Sequence, residues 1–160
     1  MVESLSQTEF GRYLLTFLVS MLPIVELRGA IPVGVGAGLG HWQSMITAVL
    51  GNMVPVPFII IFIRRIFAWL RAKSARLEAF VSRLETRAEG KWESVRKYQL
   101  LGLAILVAIP LPGTGAWTGA LVAALMDIRL KSAMPAIFLG VIIAGFLVTG
   151  ITYGFSSVLN

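Results

Sequence analysis

The sequence predicts an all-α polytopic membrane protein with two re-entrant helical hairpins and two transmembrane helices arranged as an inverted repeat, joined by a cytoplasmic amphipathic helical segment. Three observations predict it. Hydrophobic residues make up 57% of the 160 residues and charged residues only 14%, the balance of a chain that sits in lipid rather than in water. Apolar blocks near residues 10–39, 43–63, 100–126 and 132–158 alternate between lengths suited to a hairpin and lengths suited to one crossing. The whole positive excess lies between the second block and the third. The expected divisions are a first half (1–63), a basic linker (64–98) and a second half (99–160).

The start, Met1 to Glu9, is polar, carries Glu3 and Glu9 and lacks the basic region of a signal peptide, so the first apolar stretch is expected to stay in the protein. That stretch, about 10–39, is too short for two crossings at roughly 20 residues each and overlong for one. Pro23 interrupts a continuous helix, whereas Pro32 is expected at or near the first turn of a second half-helix, where its missing N–H costs little. The block 43–63 fits one crossing, in which Asn52 with Pro55 and Pro57 places a polar side chain and a kink. Asn52 is expected either to bond carbonyls freed by the prolines or to line a cavity. In the block near 100–128, Pro110-Leu111-Pro112-Gly113-Thr114-Gly115 is a stronger helix breaker still, which predicts the second hairpin. The block 132–158 fits the second crossing.

The halves share a register. Pro23 and Pro112 are followed at the same distance by Leu50-Gly51 and Leu139-Gly140, and Gly29-Ala30 falls within one residue of Gly119-Ala120. A hairpin plus one crossing in each half makes the two halves enter from opposite faces. The alternative, four ordinary spanning helices, puts the N-terminus on the side of the linker.

Ten cations stand in the linker (Arg64, Arg65, Arg71, Lys73, Arg76, Arg83, Arg87, Lys91, Arg96 and Lys97) against Glu78, Glu85, Glu89 and Glu93, which leaves it with the entire net charge of +6. Lys and Arg beside spanning segments are held on the cytoplasmic side, so the expected location is the inner membrane, multi-pass, with the linker inside. Arg129 and Lys131 then return to the cytoplasm, Asp127 lies at the inner mouth, and the N-terminus and the His41-Trp42 corner face outward. Ile66, Phe67, Leu70, Leu77, Phe80, Val81, Leu84 and Ala88 recur at helical spacing, predicting an amphipathic helix or a pair broken near Gly90. A helix anchored to the bilayer interface, with Trp69 and Trp92 suited to that level, is the favoured reading. A basic platform for anionic lipid headgroups is the sharper one.

Glu26 and Arg28 are the residues that demand a function, because an ionised side chain deep in a bilayer costs roughly 2.5–3.5 kcal/mol on insertion scales. If the chain between Pro23 and Pro32 is extended, the two point the same way and can pair or share a polar substrate. The bland alternative is a buried ion pair that holds the hairpin. In the second hairpin, Gly113, Thr114, Gly115 and Ala116 can leave backbone N–H groups free at the start of a half-helix, a cradle for anions. Thr114 and Thr118 add hydroxyls and Trp117 a flat apolar wall. Alternatively Gly113, Gly115, Gly119 and Ala120 serve tight helix packing. With no cysteine, one histidine, no nucleotide-type glycine loop and no Ser-His-Asp set, the chain is expected to be no enzyme and to have no cofactor, no metal site and no nucleic-acid partner.

Glu26-Leu27-Arg28-Gly29-Ala30-Ile31-Pro32 followed by Gly34, and Pro110 through Gly119, resemble the two signature blocks of the bacterial and archaeal family labelled putative small multidrug export proteins. The resemblance covers nearly the whole chain. The pattern is also distantly similar to the DedA superfamily, whose members pair two re-entrant hairpins and include proposed carriers of undecaprenyl phosphate. That resemblance implies that Glu26 matches the acidic residue of the first hairpin. The DedA-type second hairpin carries an arginine near its proline, whereas residues 110–119 here have none, which leaves Arg28 as the source of that charge.

The expected function is therefore a secondary transporter or flippase of a small amphipathic or lipid-like substrate, with the site between the hairpin tips. Glu26 would be the proton or cation site, Arg28 the anion contact, and Gly113 to Gly119 the cradle. An anionic headgroup would use Arg28; a lipophilic cation would use Glu26 and Trp117. The competing reading is a non-transporting scaffold or assembly factor that binds through the basic helices. The lipid bilayer is the expected partner and a homodimer a plausible assembly.

Overall fold

The computed structural model describes residues 8–93, 98–111, 113–126 and 128–159, and among these the chain forms eight α-helices and no strand. The first hairpin is α1 (Glu9–Ser20) and α2 (Glu26–Gly36), followed by α3 (His41–Met53) and α4 (Pro55–Lys73). After α5 (Ala75–Glu93) come the second hairpin, α6 (Gln99–Ala108) and α7 (Ala116–Leu125), and the long α8 (Leu130–Leu159). His41–Ile63 and Leu130–Gly154 are long and apolar enough to cross a membrane; at 1.5 Å per residue they reach about 35 Å, beyond the ~30 Å core. Each hairpin helix, at 10 to 12 residues, reaches only about 15–18 Å. Pro112, Asp127 and the side chain of Trp92 lie outside the described residues.

Local chemistry sets the helix ends. Thr8 Oγ1 accepts the Gly11 N–H at 3.1 Å to open α1, and Gln43 Oε1 accepts the Gly40 N–H at 2.8 Å to open α3. Pro55 takes the first position of α4, where its missing donor is harmless, so the kink falls at Val54.

Two expected boundaries move. Helix α2 begins at Glu26, so Pro32 lies inside it rather than at its first turn, and the segment from Pro23 to Pro32 is not extended. The chain turns within residues 21–25 and at Glu26, whose φ of +49° is the left-handed value; Pro32 then removes only the donor that would meet the Arg28 carbonyl. Likewise α5 runs through Gly90, and the linker breaks at Ser74 instead. Ser74 is extended (φ −166°, ψ 141°), its hydroxyl accepts the Arg76 N–H at 3.3 Å and its carbonyl accepts the Glu78 N–H at 3.0 Å. One glycine inside a helix costs about 1 kcal/mol, which a run of good helix formers outweighs. Ile66, Phe67 and Leu70 accordingly belong to α4, a continuation of the crossing helix.

The two halves are assembled alike. Helices α1 and α2 pack on α3, α6 and α7 pack on α8, and the halves meet through α2–α8, α3–α8 and α4–α7. Each long helix presents a glycine to a backbone carbonyl of the first short helix. A Cβ on Gly51 would lie 2.5 Å from the Phe17 oxygen, and one on Gly140 would lie 2.5 Å from the Ala104 oxygen, so both contacts require glycine. Such close approach is how helices associate in lipid, where apolar side chains gain nothing from leaving their surroundings. Helix α5 folds against α4 and α7, burying Phe67 and Val81, and an Arg71–Glu85 ion pair ties it to α4. Phe80 and Trp69 remain exposed.

Candidate functional site

The hairpin tips meet, and each supplies what the other lacks. Breaking a helix leaves N–H groups unpaired at one end and carbonyls at the other, a heavy cost in an apolar setting. At the start of α7 the free N–H groups are taken by Glu26, whose carboxylate accepts the Trp117 N–H at 3.2 Å and also faces the N–H of Ala116. Glu26 is 4% exposed. Just past the end of α6 the Ile109 and Leu111 carbonyls accept from the Leu111 and Thr114 N–H groups, and Arg28 adds a charged donor to each, from Nη1 to the Leu111 oxygen and from Nη2 to the Ile109 oxygen at 3.3 Å. Arg28 Nη2 also donates to Thr114 Oγ1 at 2.9 Å. The negative side chain thus sits at the positive end of one helix dipole and the positive side chain at the negative end of another.

This arrangement fixes the neighbouring residues. Gly115 adopts φ +132°, and a Cβ there would lie 2.7 Å from Glu26 Cδ and 2.8 Å from Oε1, so only glycine admits the carboxylate. Thr114 gives its hydroxyl to the break, 2.7 Å from the Ile109 oxygen and 2.8 Å from that of Leu111. The Thr118 hydroxyl donates to the Gly113 carbonyl at 3.1 Å. Gly119 serves packing: a Cβ would lie 2.5 Å from Val107 Cγ2.

An offset of 89 residues (112 − 23) carries Pro23 to Pro112 and Gly51 to Gly140; it also carries Glu26 to Gly115 and Arg28 to Trp117. The members of these last pairs make reciprocal contacts. Glu26 and Gly115 touch one another, and both have positive φ at the start of the second short helix. Arg28 reaches the carbonyls that end α6, and the Trp117 indole Nε1 donates at 3.1 Å to the Met21 carbonyl that ends α1. Sequence reading missed this reciprocity and the indole bond, although the proline register held the signal.

Between the tips lies a cavity of about 430 Å³ lined by Pro23, Ile24, Glu26, Arg28, Pro110, Gly113, Thr114 and Thr118. Of the sequence-derived candidates, Glu26, Arg28, Gly113, Thr114, Gly115, Trp117 and Thr118 come together at these tips. Two do not. Asn52 is fully buried away from the cavity and its side-chain atoms make no hydrogen bond, so it neither lines the site nor caps a carbonyl. Asp127 lies outside the described residues. The expected open cradle at α7 is corrected as well, because the protein's own carboxylate occupies it. Arg28 Nε is buried without a partner. Among the described residues no group of three or more His, Asp or Glu side chains could hold a metal.

A sequence profile for the family described as "Putative small multi-drug export protein" matches residues 26–147. The chain belongs to that family. No curated protein and no solved structure matches it. Family and apolar helices together make it a membrane protein.

Proposed function

We propose that this small multi-drug export family member is a secondary transporter or flippase that moves a small amphipathic or lipid-like substrate through the space between its hairpin tips. One observation carries the reading: a cavity of about 430 Å³, within the range of roughly 300–1,000 Å³ for small-molecule sites, opens where both helix breaks meet beside Glu26 and Arg28. Broken helices around a buried charge are how transporters build a site near the midplane. Helices of about half a bilayer's depth support re-entrant hairpins, and the reciprocal contacts support an inverted repeat. In this reading the basic linker is cytoplasmic and the chain ends face outward across an inner membrane. A chain with no native cysteine permits a direct check, and labelling of Ser4→Cys from the cytoplasmic face alone would rule the topology out.

Glu26 and Arg28 act as a latch whose charges the substrate must meet. Arg28 Nε offers an unused donor to an acidic headgroup, and Glu26 a counter-charge to a cation or proton. Arg28 stands at the proline turn of the second hairpin, the place where DedA-type hairpins carry their own arginine, and this motivates the distant likeness as a working comparison. Transport by reconstituted Glu26→Gln protein tests the proposal: movement should stop while insertion persists. Full transport by Glu26→Gln would remove Glu26 from the mechanism, and loss of a partner protein's assembly in place of transport would favour the scaffold reading.

A further inference from the structure

A second, smaller cavity adjoins the first. It holds about 190 Å³ and is lined by Ile59, Ile63, Phe67, Leu84, Trp117, Thr118 and Leu121, from α4, α5 and α7. It lacks the charged groups of the tip cavity. Leu84, Phe67 and the isoleucines present hydrocarbon, whereas Glu26, Arg28, Thr114 and Thr118 present charge and hydroxyls. At its volume the groove falls short of the roughly 300–1,000 Å³ of a complete small-molecule site, so by itself it is a subsite. Thr118 lines both spaces, and its hydroxyl is given to the Gly113 carbonyl at the edge of the tip cavity. One residue therefore stands between a cavity that carries charge and one that carries none, and Trp117, held by its backbone on Glu26 and by its indole on Met21, forms part of the apolar wall.

We propose that the groove between α4, α5 and α7 receives the single apolar tail of an amphiphile whose polar head occupies the tip cavity. The inference rests on the reading of the tips as a transport site. It gives the linker helix a role in recognition: α5 supplies Leu84 as the third wall, and the Arg71–Glu85 ion pair holds that wall against α4. Because lipid tails are as apolar as the groove, the groove selects by shape rather than by hydrophobic gain. Tail dimensions then set rate and specificity.

The test uses the full chain in proteoliposomes and fluorescent lysophosphatidylglycerol with either an acetyl or a hexanoyl tail. Leu84→Trp, which fills the groove, should lower the hexanoyl-to-acetyl rate ratio about tenfold, the order expected when an extra ring overpacks a fitted space. Leu121→Phe fills it from the opposite wall and reads the same way if Leu84→Trp fails to insert. An unchanged ratio in both variants overturns the groove; if Glu26→Gln still abolishes movement of both probes, the tip site stands without it. Failure of the native protein to move either probe overturns both readings for single-tailed acidic amphiphiles.

Discussion

The two hairpins occupy equivalent places and divide the labour unequally. The first brings side chains: Glu26 at its turn and Arg28 one residue beyond Leu27. The second brings backbone: the N–H groups that open α7 and the carbonyls that close α6. Where one half has Glu26, the other has Gly115, and where one has Arg28, the other has Trp117. Had both halves carried glutamate at the equivalent position, two carboxylates would face each other in a nearly closed space, and like charges there repel strongly. Glycine in one half is what lets the carboxylate of the other half reach a helix end. The reciprocal contacts between the tips are thereby asymmetric in charge, with both charges supplied by the first hairpin.

The largest effect should come from breaking this complementarity at its smallest residue. Gly115→Ala forces a side chain into the Glu26 carboxylate and strains a φ of +132°, and should cost about 3–5 kcal/mol. Thermal unfolding of the detergent-solubilised protein would register it as a collapse of the melting point or of expression. Arg28→Gln is next, at about 2–3 kcal/mol, since it removes the charged donor shared by the carbonyls of Ile109 and Leu111 and the Thr114 hydroxyl. A melting point within a degree or two of the native protein would mean that the Thr114 and Leu111 donors already on those carbonyls suffice.

Trp117→Phe isolates the reciprocal contact. It deletes the indole bond to Met21 while keeping a ring in the groove, and about 1 kcal/mol should be lost. A loss as large as that of Arg28→Gln would show that the halves lean on each other equally. Glu26→Gln should disturb stability about as little, since the amide oxygen can still accept the Trp117 N–H, while the attraction to the helix dipole and to Arg28, up to ~1 kcal/mol for the dipole, disappears. Transport should nevertheless stop, and a Glu26→Gln, Arg28→Gln double variant should not regain it. The smallest effect belongs to Gly36→Ala, where a Cβ meets nothing within 4 Å; it should be neutral or stabilise by at most ~1 kcal/mol. A severe defect there would show that glycine in these helices serves something other than the close contacts seen at Gly51, Gly115 and Gly140.

The sequence by itself determined the solvent, the breaks and the cast of residues. Apolar length fixed which segments can cross, Pro23 and Pro110 marked turns because a helix interior cannot hide their missing N–H bonds, and the burial of Glu26 and Arg28 among apolar residues announced a site wherever the chain might fold. These are costs each residue carries with it. What only the tertiary structure decided was who meets whom. Glu26 finds its donor 91 residues away and Arg28 its first acceptor 83 residues away, and no local rule ties such positions together. The same distance explains the expectations that moved. Pro32 lies within α2 because the chain turns before it, at a left-handed Glu26 whose carboxylate meets the start of α7, and Asn52 is buried where it meets no hydrogen-bond partner. Charge and proline are legible from the chain because their energies are local, whereas the occupant of a helix end is set by which distant helix end comes to rest beside it.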